Sequence, residues 1–285
     1  MQTSRKQNVA IIGAGISGIS LGRMINSQSN VTIFEKSTKV GGRVSTKYTN
    51  DLEFDHGAQF FTIRTNSFMN YIQLLIDEGI VDIWKARFVE IDQNNINHRR
   101  HWSKEHPHYV GVPRMNMICK YLANGIAVNL NTEVKTITKV KENKWRLFDA
   151  NNINLGEFDW VISAIPAAQA TKLLPLEFLY SQELSTVKMH GCYALMLHIK
   201  NITIDWDAAL VKNSNIRNLA ILLADIITEL FVLFLSSSTL IGYLKNAYRI
   251  SNSLIFSKRT CSFTYLFNVS TSANSGIIFQ NIKVY

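Results

Sequence analysis

The chain has 285 residues and is 47% hydrophobic by composition, enough apolar material for one large or two modest packed domains. It carries 30 basic and 21 acidic residues, a formal net charge of +9. The basic residues are scattered rather than striped, so nucleic acid is not an expected partner, and three lone cysteines exclude a disulfide framework.

The first apolar run, Val9 to Ile12, is continuous and rich in β-branched residues, the pattern of a buried parallel strand. Gly13, Gly15 and Gly18 follow in G-x-G-x-x-G spacing and lead into a helical pattern through Leu21, Met24 and Ile25. A second strand, Val31 to Phe34, ends at Glu35. Each part answers a need of a dinucleotide. Gly13 allows the tight turn, Gly15 lets backbone approach a pyrophosphate, and Gly18 lets helix and strand pack closely. The helix N-terminus offers unpaired N–H groups to phosphates. An acid at Glu35 accepts hydrogen bonds from ribose hydroxyls and disfavours the extra phosphate of NADP. The glycines also interrupt the apolar run after "MQTSRKQ", and no small-residue cleavage site follows, so no secretion signal is expected.

Next comes "STKVGGRVSTKY" with Gly41, Gly42 and Arg43, then "LEFDHGAQFFT" from Leu52 to Thr62. Here the chain resembles the FAD-dependent amine-oxidase superfamily, most closely its renalase-like branch. Flavoproteins of that superfamily carry a G-G-R element after the ribose-binding acid. The renalase-like members add a D-x-G-A-Q-[FY]-[FI]-T segment, matched by Asp55, Gly57, Ala58, Gln59, Phe60, Phe61 and Thr62. The planar guanidinium of Arg43 suits a pair of phosphate oxygens.

Apolar spacing predicts a helix over 68–80, and alternating aromatic and polar residues over 82–110 read as strands lining a substrate domain. The densest basic cluster, His98 to His101, reads as a solvated loop, with binding of a dinucleotide phosphate as the alternative. Trp84, Trp102 and Trp145 read as core or strand-face aromatics. "YVGVPRMNMICKYLA", Tyr109 to Ala123, looks like the family's G-x-P-x-M segment entering a helix. "VNLNTEVKTI", Val128 to Ile137, resembles its strand beside adenine, and "DWVISAIPAAQATKLL", Asp159 to Leu174, its V-x-[ST]-x-P-x-x-Q segment. Residues 126–130, 134–148 and 159–165 read as strands, with 139–147 a solvated hairpin carrying Lys and Glu at its turn, and 190–200 suggest another substrate-domain strand.

The resemblance implies an α/β fold: a Rossmann-type FAD-binding domain with an inserted α+β substrate domain built on a mixed or antiparallel sheet. The expected division assigns 1–66 and 113–172 to the FAD-binding domain, and 67–112 and 173–219 to the substrate domain. It leaves 220–285 as an atypical tail. The implied cofactor is FAD, held by Gly13, Gly15, Ile16, Ser17, Gly18, Glu35, Lys36, Gly42, Arg43, Gly57, Ala58, Gln59, Phe60, Val134 and Ser163. Val134 would contribute backbone N–H and C=O beside adenine. The implied reaction passes a hydride from a reduced nicotinamide dinucleotide or an amine to flavin, with O2 as final acceptor. It needs no protein nucleophile. Gln59, Phe61 and His56 are the catalytic candidates; a His beside a glycine turn is more often structural. Arg64 could meet an anionic substrate or a surface acid. No metal-ligand spacing is present, and three separated thiols suit a reducing cytoplasm.

After about Ala220 the character changes. All prolines lie at or before Pro175, and no acid follows Glu229. The family ends on a G-D element and a helix over the flavin, yet no G-D dipeptide occurs in this chain. Residues 219–244 are long enough to span a membrane at ~20 residues. Against that, Asp225 and Glu229 would each cost ~2.5–3.5 kcal/mol near a helix centre. A reading frame shifted near 217–220 is the preferred explanation. The alternatives to an active oxidoreductase are therefore a degenerate flavoprotein without activity and a membrane-anchored dinucleotide-binding protein.

Overall fold

The computed structural model describes residues 5–49, 52–92, 95–102, 105, 107–140, 144–175, 177–189, 193–200, 204–213, 216–224, 228–235, 251–258, 264–270 and 278–284. It divides into two compact units, residues 1–45 with 111–189, and residues 46–110 with 190–285.

The first unit is built on a four-stranded parallel sheet. Its order is Ala127–Asn129, Ser29–Phe34, Gln7–Ile12, Trp160–Ser163. The continuous apolar run Val9–Ile12 occupies a central position because it buries both of its faces. One face meets the helix Ile16–Ile25, where a Cβ at Gly22 would touch Ile33, Ile11 and Val31. The opposite face carries Ala10, Ile12 and Phe34 into a core with Val134, Leu147 and Phe158. Those last three come from an antiparallel meander, Val134–Val140, Lys144–Asp149 and Asn154–Phe158. Phe34 and Phe158 meet edge to face at 5.8 Å, and Trp145 packs against the same cluster.

The strands expected over 126–130 and 134–148 are separate elements in the structure as well. Ala127–Asn129 pairs in the parallel sheet, whereas Val134–Val140 begins the meander. The break falls at Asn131, whose φ of 53° is a left-handed conformation that asparagine tolerates. The amides of Asn131 and Thr132 there donate to the carbonyls of Ser37 and Glu35.

The second unit holds a nine-stranded mixed sheet. From one edge its strands are Ile278–Val284, Thr264–Ser270, Ser251–Lys258, Tyr193–Lys200, Thr228–Leu235, Ile216–Ala224, Ala208–Lys212, Arg87–Asp92 and Asn95–His101. All neighbours run antiparallel except Ala208–Lys212 with Arg87–Asp92. This α/β architecture, a Rossmann-type parallel sheet with a mixed-sheet second unit, is the fold class expected from the sequence. The expected helix over 68–80 lies at Asn66–Asp77. Thr65 caps it, its hydroxyl accepting from the Phe68 amide at 3.2 Å. Ile72 and Leu75 form its buried stripe.

Within the segment 219–244, two parts are extended strands, ending at Ala224 and Leu235. Residues 225–227 and 236–244 lie outside the described residues. Among the described residues, no helix is long and apolar enough to cross a membrane.

Candidate functional site

The glycine loop is assembled from backbone. Gly13 adopts φ 105°, and its amide donates to the Phe34 carbonyl at 2.8 Å, closing the tight turn between the first two strands. A Cβ at Gly18 would lie 2.1 Å from the Gly13 carbonyl oxygen, so only glycine lets the helix sit this close to the strand. A Cβ at Gly15 would meet nothing within 4 Å. Space therefore opens directly over the loop where the helix Ile16–Ile25 begins. That helix has Gly15 at its N-cap, no side-chain cap and no acid in its first turn. Its first amides face this opening without a competing side-chain acceptor, the arrangement that receives an anion. Ser17 is exposed and Ile16 half-buried at its start.

Glu35 closes the loop from the end of the second strand. It is only 8% exposed, and its carboxylate accepts from the Ala14 amide at 2.8 Å and the Ser37 amide at 2.9 Å. The acid thus anchors the loop itself, and each oxygen keeps a further lone pair for a ligand hydroxyl. Beside it, Lys36 is exposed and donates to the Gln169 side chain at 3.3 Å, joining two of the sequence blocks.

The Gly41–Gly42–Arg43 element docks on the same loop. The Gly41 amide donates to the Ala14 carbonyl at 2.9 Å, and Gly41 bridges Gly15 in parallel fashion. Gly42 has φ 54°, and a Cβ there would meet the Gly15 Cα at 3.2 Å. Arg43 is exposed in the short 3-10 turn Gly42–Val44. Ser163, at the end of the edge strand, has a buried hydroxyl without a hydrogen-bond partner among the described residues. Val134 is buried at the start of the meander. In the G-x-P-x-M segment the Gly111 amide donates to the Met115 sulfur at 3.1 Å. Met115 and the following helix residues Ile118, Cys119 and Leu122 are buried. Burial pushes the Cys119 thiol up to about 12, so it stays protonated.

The second unit positions the other expected residues. Asp55 is buried and accepts from the Thr46 hydroxyl at 2.5 Å, a partner that motif reading did not anticipate. Gln59 is 4% exposed, and its side-chain nitrogen has no hydrogen-bond partner among the described residues. Gly57 is buried, while His56 and Ala58 are half-buried. Phe60 meets Trp84, Trp102 and His108 at 5.9, 4.8 and 5.1 Å, and Phe61 stacks on Tyr109 at 5.7 Å. Trp84 and Trp102 are therefore members of an aromatic cluster. Arg64 is exposed. His98 to His101, expected in a loop, lie in the exposed edge strand Asn95–His101. Pairing with Arg87–Asp92 overrides the loop character that its polar composition suggests.

A clamp of this unit escaped the sequence altogether. Asp207 receives the Arg87 guanidinium at 2.7 and 3.0 Å and the Arg87 amide at 2.6 Å. Burial pushes the Asp207 carboxyl up, but the hydrogen bonds from Arg87 outweigh it and hold the group below the usual carboxylate range. The partners are far apart in the chain, so no local pattern announces the pair. Among the described residues, no group of three or more His, Cys, Asp or Glu side chains could hold a metal ion.

Comparison with known proteins agrees with this geometry. A family model for NAD(P)-binding Rossmann-like domains matches residues 11–75, less than a quarter of the chain. A 4,4'-diapophytoene desaturase of Staphylococcus aureus is 34% identical over 90 residues, covering 28% of this chain and 18% of that protein. Protoporphyrinogen oxidase 2 of Arabidopsis thaliana is 39% identical over 57 residues, 20% of this chain and 11% of its own length. The chain thus spans less than a fifth of the length of the curated relatives it matches. In fold, it is similar to a protein of Exiguobacterium sp. 255-15 provisionally named a protoporphyrinogen oxidase. The TM-score is 0.65 at 11% identity, covering 84% of this chain and 82% of that one. An engineered putrescine oxidase gives 0.64 at 13% identity, covering 85% and 78%. The likeness in sequence is to a desaturase and an oxidase over part of this chain, and the likeness to the solved structures is one of fold.

Proposed function

We propose that this chain is an FAD-dependent oxidoreductase of the amine-oxidase type, on the renalase-like branch. The observation that carries the reading is the glycine loop. It has open space over Gly15, an uncapped helix start, and Glu35 locked beneath it by the Ala14 and Ser37 amides. The desaturase and oxidase relatives support an oxidoreductase. "DHGAQFFT" and the Gly41–Gly42–Arg43 element support FAD over a free nicotinamide dinucleotide.

In this reading Gly13, Gly15, Ile16, Ser17 and Gly18 hold the pyrophosphate by backbone N–H groups. Glu35 accepts from the adenosine ribose, with Lys36 beside it. Gly42 gives close backbone approach, Arg43 meets a phosphate, and Val134 lays its main chain beside adenine. The buried Ser163 hydroxyl and Gln59 nitrogen, both without partners among the described residues, are polar atoms suited to cofactor hydrogen bonds. Gly57, Ala58 and Phe60 pack beside the redox ring, and Phe61 and Gln59 orient the substrate. His56 shapes the loop. Bound FAD would supply two-electron chemistry, accepting a hydride from a dihydronicotinamide dinucleotide or an amine and delivering electrons to O2. The protein's own contribution is stacking, orientation and exclusion of water. We assign residues 1–66 and 113–172 to the cofactor, 67–112 and 173–219 to the substrate, and the protein to the cytoplasm.

The test is an absorption spectrum of the purified full chain after incubation with FAD. Bound-flavin bands, bleached anaerobically by a reduced nicotinamide dinucleotide, are the expected result. A protein that stays colourless overturns the proposal. It would instead support the degenerate flavoprotein that the missing G-D element suggests.

A further inference from the structure

We propose that Arg100 anchors a phosphate group of a ligand bound by the second unit. The strand Asn95–His101 is exposed along its whole length and forms one edge of the nine-stranded sheet. Cross-strand pairing places His98 and Arg100 on one face, opposite Glu90 and Phe88, and Arg99 and His101 on the other, opposite Val89 and Arg87. The two faces differ in how their arginines are neutralised. Arg99 pairs with Asp205 at 2.7 Å, and on the neighbouring strand Arg87 is clamped by Asp207. Arg100 has no carboxylate partner among the described residues. Glu90, whose carboxyl feels Arg100 at longer range, is engaged by Lys212.

Arg100 sits instead over an aromatic ring. Its guanidinium carbon lies 4.6 Å from the centroid of Phe88, its cross-strand partner. Phe88 is 8% exposed and stacks on Trp102 at 5.5 Å and 26°. Trp102 stacks in turn on His108 at 3.7 Å and 12°. Phe60 and Trp84 close on Trp102 from the side at 4.8 and 5.1 Å. The result is a column, Arg100 on Phe88 on Trp102 on His108, with a cation at its exposed end. The ring holds the cation in place, and a guanidinium with five N–H donors keeps donors available to a ligand. A planar donor fork fixed in this way matches a pair of phosphate oxygens, and its ordering cost is already met by the ring beneath it. His98, on the same face two residues away, supplies a second donor.

This site stands on the strand alone. It rests on the proposed function only in taking the phosphate-bearing ligand to be the substrate, which favours a dinucleotide over a simple amine. The test uses the full chain saturated with FAD and then freed of unbound cofactor, so that the glycine loop is not the responding site and free FAD does not compete with the probes. Inorganic pyrophosphate and ADP are titrated while tryptophan emission is followed, since Trp102 lies one ring from Arg100. Both probes should bind. Arg100→Ala should weaken both by about tenfold, and Arg100→Lys, which keeps charge but loses the fork, by less. Arg99→Ala, which removes a paired arginine on the other face, should change affinity less than twofold. Tighter binding of ADP than of pyrophosphate identifies a nucleotide ligand; equal binding identifies recognition of phosphate alone. Unchanged binding in Arg100→Ala, equal losses in both alanine variants, or no binding by the wild type overturns the proposal. Flavin uptake is read separately from the flavin bands, so failure of the oxidoreductase reading and of this site are told apart.

Discussion

The two units solve the same problem, burying a sheet, by different means. In the first, short parallel strands are covered on both faces, by the helix Ile16–Ile25 and by the meander Val134–Phe158. Its contacts are apolar and backbone-to-backbone, and its tightest points are glycines where any side chain would collide. In the second, an exposed edge strand is held by ion pairs and a ring column, with Asp207 at the centre of a clamp. Glycine contacts tolerate almost no change, because sterics are steep. Surface charges tolerate much, because water replaces them. A parallel sheet under glycine control is therefore brittle to substitution, and a charged edge is not.

Substitutions can break this comparison, and the largest effect belongs to the first unit. Gly18→Ala forces a Cβ to 2.1 Å from the Gly13 carbonyl and should cost about 2–3 kcal/mol. It should be seen as a lowered Tm in thermal melts. Gly15→Ala is its counterpart, because the new methyl meets nothing within 4 Å. Its Tm should stay within a degree or two of wild type while FAD affinity falls. A Gly15→Ala protein as unstable as Gly18→Ala would show that both glycines serve packing alone.

In the second unit, Asp207→Asn leaves the Arg87 guanidinium without its counter-charge. Because Arg87 is partly exposed, a loss of about 1–2 kcal/mol is expected at neutral pH. The folded-state carboxyl titrates below its ordinary value. Its contribution is therefore complete above about pH 4, the unfolded value, and is lost as pH falls through the lower folded value. Urea melts of wild type and Asp207→Asn should differ at pH 7 and converge under acid. A gap that persists at low pH would assign the effect to packing.

Cys119 offers a kinetic test of the first unit's core. With its thiol raised to about 12, alkylation at pH 8, followed by peptide mapping at Cys119, should be negligible until urea unfolds the chain. The smallest effect is expected from Arg146→Ala, which breaks an exposed pair with Glu157 on the meander. Thermal melts should show less than about 1 kcal/mol. A larger loss would mean that surface charge, and not the apolar cluster under the meander, holds this sheet in place.

Much of the first unit was legible because its determinants are local. An apolar run, three glycines at set spacing, a second strand and an acid lie within residues 9–35, and each is required by sterics or by backbone polarity. The helix Asn66–Asp77 was legible through its apolar spacing, with its start two residues earlier because Thr65 caps it there and its end three residues earlier, ahead of the left-handed Gly79. The division between the strands at 126–130 and 134–148 was legible too, since the polar Asn131, Thr132 and Glu133 separate two strand-like runs; the left-handed φ of Asn131 was not. In the site, the glycines, Glu35 and the Gly41–Gly42–Arg43 element could be picked out. The Thr46–Asp55 and Arg87–Asp207 contacts could not. Alternation of Phe88 with Arg87, and of Arg100 with Arg99, was the available signal for the ring column, obscured by the polar run around it.

The sequence by itself determined that this protein carries a dinucleotide fold in its N-terminal part, because glycine spacing and strand hydrophobicity act over a few residues. Only the tertiary structure decided how Glu35 is spent, which arginines are neutralised, and that the basic cluster is a strand edge. Those outcomes depend on partners brought together from distant parts of the chain. Burial and charge pairing are properties of such neighbours, not of the segment that carries the residue.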